Sequence, residues 1–132
     1  MAKYPPLEKN APILLCDDFG TIRRILRVFL TQLGYTNIDE IDSVDWAISR
    51  MEESSYKLLV LDSVVGGVKW QEATARVRGN PNSQVSKIPL MIVATADDRP
   101  IEPQFYAIGV DGVYFKPGGA DQLKAALDRI FG

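Results

Sequence analysis

At 132 residues, with 46% apolar and 24% charged side chains, the chain has the length and composition of one folded domain with a single core rather than of a disordered segment. A net charge of −2 leaves no basic excess for nucleic acid or an anionic membrane surface, and the absence of histidine removes imidazole acid/base chemistry, His-containing triads and His-ligated zinc. The lone cysteine, Cys16, excludes an internal disulfide and reads as a buried thiol in a reducing cytosol; no apolar run approaches the roughly 20 residues of a membrane span, and the N-terminus lacks a signal-peptide core.

The first ten residues carry Pro5, Pro6 and scattered charges without periodicity, so 1–11 reads as a flexible lead-in to a domain over 12–132. Strand and helix signals then alternate, with strands predicted at about 12–16, 37–41, 57–61, 89–94 and 112–115. Between the first two strands, Ile22, Ile25, Leu26, Phe29, Leu30 and Leu33 recur at helical spacing, with Thr21 as the expected cap and Gly34 as the stop; Arg23, Arg24 and Arg27 lie off that stripe. A second helix places Val44, Ala47, Ile48 and Met51 on one face behind Ser43. A third, over about 69–78, carries Trp70, Ala73 and Val77 before Gly79-Asn80-Pro81 breaks it. The fourth would bury Ile101, Phe105 and Ile108, but Pro100 and Pro103 disfavour helical geometry at Arg99 and Glu102, so a short helix starting near Pro103 is expected. The last helix turns Leu123, Leu127, Ile130 and Phe131 inward.

Five strands separated by helices predict an α/β fold with one doubly wound, five-stranded parallel sheet. The first, third and fourth strands are apolar throughout, as central strands covered on both faces must be. The second, Asn37-Ile38-Asp39-Glu40-Ile41, carries acids and suits an edge. The order 2-1-3-4-5 follows, and it brings the mouths of strands one and three together at the switch point.

Polar residues follow these runs in a pattern. Asp17 and Asp18 come after Ile13-Leu14-Leu15-Cys16, Asp62 after Leu58-Leu59-Val60-Leu61, Thr95 after Leu90-Met91-Ile92-Val93-Ala94, and Lys116 after Val113-Tyr114-Phe115. In a parallel sheet all of these positions share one edge. Clustered carboxylates repel, and a hard cation such as Mg2+ neutralises them: Asp17 and Asp18 can hold it directly or through water, while Asp62 adds an oxygen and remains a nucleophile. Lys116 and the Thr95 hydroxyl can then stabilise the oxygens of an incoming phosphoryl group. Each residue alone also has an ordinary reading: helix caps for the acids, a turn residue for Thr95, a solvated lysine for Lys116. The joint placement carries the inference.

The paired acids of Leu-Cys-Asp17-Asp18, the Leu-Val-Leu-Asp62 segment, Ala-Thr95-Ala96 and Phe-Lys116-Pro117 resemble the motifs of the receiver domain of bacterial two-component response regulators, over residues 12–131. The stretch from Asp17-Asp18-Phe19-Gly20 to Ile25 is similar to single-domain chemotaxis members. The resemblance implies the flavodoxin-like (βα)5 fold and a phospho-accepting signalling domain rather than an enzyme acting on a separate substrate. It implies Asp62 as acceptor from a phosphohistidine on a histidine kinase or histidine-phosphotransfer protein, with Mg2+ held by Asp17, Asp18, Asp62 and the backbone carbonyl of Val64. Donor docking on the first helix, near Ile22 and its arginines, is implied too. Output would go through the face of the fourth helix, fifth strand and fifth helix to a protein target such as a flagellar motor switch.

Two positions depart from the family. Met-Pro often stands three and four residues after the acceptor, where this chain has Val65 and Gly66; Val64, two past the acceptor, is apolar and cannot orient an attacking water. The aromatic switch three residues before the lysine is replaced by Val113, with Tyr114 facing the other way, so the loop over 97–102 and the short fourth helix are expected to move instead.

Other classes fit less well. A haloacid-dehalogenase-type phosphohydrolase needs a second Asp where Val64 stands; a flavin phosphate would meet Asp17 and Asp18; no Walker loop is present. The end of the chain just after the last helix reads as a stand-alone receiver, with the receiver portion of a larger regulator, a phosphorelay shuttle or a non-phosphorylated docking module as alternatives.

Overall fold

The runs of consecutive apolar residues become strands because each is covered on both faces, as a computed structural model describing residues 2–132 makes plain. The strands are β1 (Ile13–Cys16), β2 (Ile38–Ile41), β3 (Leu58–Asp62), β4 (Leu90–Thr95) and β5 (Gly112–Lys116). They form one parallel sheet in the order β2-β1-β3-β4-β5, with Cys16 level with Leu61, Asp62 with Val93, and Thr95 with Lys116. The predicted order is the observed one, and β2, with its acids, lies at the edge.

The connections are α1 (Gly20–Gln32), α2 (Val44–Glu53), α3 (Trp70–Arg78), α4 (Glu102–Ala107) and α5 (Ala120–Phe131). Strand alternation divides the core into two layers. Leu14, Leu59, Leu61 and Ile92 meet Ala47, Met51, Val77 and Phe105 on one face, while Ile13, Leu15, Val60 and Met91 meet Leu26, Leu30, Leu123 and Leu127 on the other. Each fully buried leucine contributes about 1.5–3 kcal/mol from removal of its surface from water.

Several local features differ from expectation. Thr21 does not cap α1: the helix starts at Gly20 behind Phe19, with no side-chain cap, because the Asp17 carboxylate draws the chain in through the Phe19 amide. Of the α1 stripe, only Leu26 and Leu30 are fully buried; Ile25 is exposed and Ile22, Phe29 and Leu33 are half-covered. Ser43 caps α2 as expected, accepting from the Trp46 amide. Arg99 and Glu102 are helical despite the prolines that follow them. Ala96–Ile101 forms a 3-10 turn containing Pro100, and Glu102 opens α4 at φ −49° and ψ −43°. Pro103 falls in the first turn of α4, where a missing N–H costs nothing. Ile108 lies just past α4 and is exposed rather than inward.

Two small elements appear that periodicity does not announce. Val64–Val65 and Val68–Lys69 form a hairpin over Gly66 and Gly67, both at positive φ as a tight two-residue turn demands. Ser83–Ser86 is a single helical turn capped by Asn82. At the other end, the segment read as a loose lead-in lies against the domain: the Tyr4 amide donates to the Ile130 carbonyl at 3.3 Å, and Tyr4 and Leu7 pack on the α1/α5 layer. Among the described residues no helix is long and apolar enough to cross a membrane.

Candidate functional site

The ends of β1 and β3 are adjacent, so Asp17 and Asp62 emerge side by side, with Asp18 at the rim. Ligating oxygens of Asp17, Asp18 and Asp62 all lie within 4.8 Å of one another. Asp62 is buried and accepts a hydrogen bond at Oδ1 from Lys116 Nζ at 3.0 Å, which reaches in from the end of β5. Asp17 is fully buried. Its Oδ1 accepts from the Phe19 amide at 2.8 Å, whereas its Oδ2 is buried with no hydrogen-bond partner. Exposed Asp18 accepts from the Gly66 amide at 2.7 Å, tying the loop after β1 to the hairpin after β3.

Three carboxylates thus face one ammonium. Burial pushes the Asp17 carboxyl up to about 6 against the opposing pull of the Phe19 amide, and the neighbouring charges of Asp62 and Asp18 raise it further. A lone-pair-rich, oxygen-only cluster with an unsatisfied buried oxygen is chemically matched to a hard divalent cation. The same burial, reinforced by Asp17 and its neighbours, pushes the Cys16 thiol up to about 12. Cys16 is therefore protonated and shielded at pH 8, and it should resist a disulfide reagent in the folded protein but react at once in urea; native reaction at a free-thiol rate would contradict this.

Thr95 stands at the end of β4 in register with Lys116, on the same sheet edge. Its hydroxyl does not turn to the acids. Thr95 Oγ and Thr95 N both donate to Asp98 Oδ2, at 3.2 and 3.1 Å, so Asp98 caps the 3-10 turn. Sequence spacing could have flagged Asp98, since Thr95-Ala96-Asp97-Asp98 has the Thr-x-x-acid pattern of a capping box. The Phe19 and Gly66 amides, by contrast, leave no side-chain signal. Val64 projects its side chain to solvent at the start of the hairpin.

Beside Lys116 a shallow groove runs between Ile22, Ile25 and Phe29 of α1 and the Pro117-Gly118 turn. Arg23 and Arg27 are not free on that helix, because both are paired with Glu40 at 2.9 Å, and Arg23 also donates to the Asp17 carbonyl. On β5, Val113 and Phe115 face the α4 layer and Tyr114 faces the α1/α5 layer, its hydroxyl donating to the Gly118 carbonyl at 2.5 Å. The expected alternation holds, and no ring occupies the Val113 position.

Residues 13–128 match the family described as response regulator receiver domain. The chain belongs to that family. This receiver domain is 30% identical over 125 residues to the chemotaxis protein CheY-3 of Vibrio cholerae, covering 95% of each chain. It is also 30% identical to the chemotaxis protein CheY of Pseudomonas aeruginosa, covering 90% of this chain and 94% of that one. In fold, it superposes on the chemotaxis response regulator CheY4 of Vibrio cholerae with a TM-score of 0.77 at 22% identity, covering 91% of this chain and 98% of that one. The receiver is CheY-like in sequence and architecture.

Proposed function

We propose that this receiver domain takes a phosphoryl group onto Asp62 from a phosphohistidine on a histidine kinase or histidine-phosphotransfer protein, and signals by protein contact. The observation that carries this reading is the Asp62 carboxylate held by Lys116 at 3.0 Å while Asp17 and Asp18 crowd it from the other side. The donor set fits Mg2+: Asp17, Asp18 and Asp62 would hold it, with the Val64 carbonyl as a fourth oxygen. When bound, Mg2+ supplies positive charge that neutralises the cluster and the phosphoryl oxygens.

One Asp62 oxygen attacks the donor phosphorus as the phosphorus–nitrogen bond breaks and the donor imidazole leaves with the electron pair. Lys116 stabilises the charge on the transferring oxygens, and Thr95, once its hydroxyl leaves Asp98, donates to one of them. These residues include no histidine, so the phosphoryl group comes from a histidine outside them. The acyl phosphate is a mark and a timer, which makes the chain a signalling domain that assists its own phosphotransfer and dephosphorylation. The hairpin places an apolar, exposed Val64 beside the acceptor. Val64→Asn is expected to shorten the phosphoryl lifetime several-fold by giving an attacking water a polar partner; a lifetime unchanged or longer would count against it.

The CheY relatives favour a chemotactic output, with a flagellar motor switch component as target, over a phosphorelay shuttle; output through α4, β5 and α5 would rely on the 3-10 turn and α4, since Val113 has no ring to swing. We assign the work to the cytoplasm, consistent with the unpaired Cys16 thiol. The deciding experiment is Mg2+-dependent labelling by radiolabelled acetyl phosphate. Acid-stable, base-labile label on the peptide containing Asp62 supports the reading; label elsewhere, or none, defeats it. Copurification with a motor switch component or with a histidine-phosphotransfer protein separates the two outputs.

A further inference from the structure

We propose that Asp98 is a positioning residue that latches Thr95 away from the acid cluster in the resting state, so that phosphorylation has to expel Asp98 and thereby frees the 3-10 turn. The inference rests on the acceptor reading of Asp62. A single carboxylate oxygen of Asp98 takes both the amide and the hydroxyl of Thr95, at 3.1 and 3.2 Å. A threonine hydroxyl has one proton. It cannot donate to Asp98 and to a phosphoryl oxygen on Asp62 together, and so the two contacts exclude each other.

The turn has a second fastening one residue on. Arg99 stacks over the Phe115 ring, its guanidinium carbon 4.4 Å from the ring centre, and Phe115 pairs with Ala94 across β4 and β5. Ala96–Ile101 is therefore tied to the end of β4 through Asp98 and to β5 through Arg99, with no residue of its own fully buried. Loss of the Asp98 tie leaves a largely exposed segment held by the Arg99 stacking contact and by Ile101 against the core, directly ahead of α4. If Asp98 were only a helix cap, its removal would lower stability and leave the affinity for a phosphoryl group unchanged.

The test uses the full chain with Mg2+ and beryllofluoride, a stand-in for the phosphoryl group. Asp98→Ala removes the latch and is expected to tighten beryllofluoride binding about tenfold, the worth of a charged hydrogen bond lost from the resting state. Asp98→Asn keeps an acceptor oxygen without the charge and should stay within about threefold of wild type, since an amide carbonyl still accepts from Thr95. Equal tightening in both variants would assign the effect to charge alone, and no tightening with alanine would assign it to capping; either overturns the latch. A measurement on the wild type guards against an unstable variant. The Thr95 amide should exchange faster with solvent once Mg2+ and beryllofluoride are added, and unchanged protection would also overturn the proposal. If wild type fails to bind beryllofluoride, the acceptor reading itself falls and the latch falls with it.

Discussion

Replacing Asp62 with asparagine is expected to reduce Mg2+-dependent phosphate incorporation to background, a fall of about a hundredfold or more, without unfolding the domain. The amide is nearly isosteric with the carboxylate and can still accept from Lys116, so the contact seen at 3.0 Å keeps its geometry while the nucleophilic oxygen is lost. Asp62 also sits among Asp17 and Asp18, and neutralising one of three crowded carboxylates relieves repulsion that the apo protein bears. Thermal stability without metal should therefore be equal to wild type or higher. Labelling of Asp62→Asn at the wild-type level would place the acceptor elsewhere; a large drop in stability would mean that Asp62 is a structural charge rather than a reactive one.

At the opposite edge of the sheet, Arg78→Met should cost about 3–5 kcal/mol of stability, the range expected when a buried ion pair loses one partner. Arg78, at the end of α3, donates to the Gly109 carbonyl at 2.8 and 3.0 Å, to Ser86 at 3.0 Å and to Ile88 at 2.7 Å. It also pairs with Asp111 at 3.0 Å, where the Asp111 side chain is only 6% exposed. Asp111 in turn accepts from the Leu90 amide and from Tyr4, so one guanidinium joins α3, the start of β4, the approach to β5 and the N-terminal segment. Methionine fills similar volume but satisfies none of these acceptors. Urea unfolding measures the loss, and a change below about 1 kcal/mol would show that water replaces the guanidinium at little cost. The folded fraction should still take up phosphate at the wild-type rate, because the clamp touches no residue of the acid cluster.

What is readable in a chain like this depends on how far each interaction reaches. Apolar runs such as Leu58-Leu59-Val60-Leu61 declare a covered strand locally, and the acids in β2 declare an edge. Strand order then follows from handedness and brings Asp17, Asp18, Asp62 and Lys116 to one edge. Contacts between a side chain and a distant backbone leave no such trace. Arg78 looks like any polar end of a helix until the Gly109 carbonyl is placed opposite it, and the pairing of Arg23 and Arg27 with Glu40 depends on the register between α1 and β2. Thr21 fits the rule for a cap, but Asp17 four residues earlier already engages the entering amide. The prolines mislead in a similar way. They forbid the middle of a long helix, yet a 3-10 turn accommodates Pro100 and the short α-helix that follows takes Pro103 in its first turn, where the backbone needs no donor.

Trp70, at the start of α3, is buried against the ring of Phe105, the one fully buried residue of α4, with ring centres 4.3 Å apart. The other indole, Trp46, is 68% exposed on α2. The protein thus carries its own optical gauge: a dissolved quencher silences Trp46 first, and the emission that remains comes from an indole whose neighbour rides on the very helix that the output is proposed to shift.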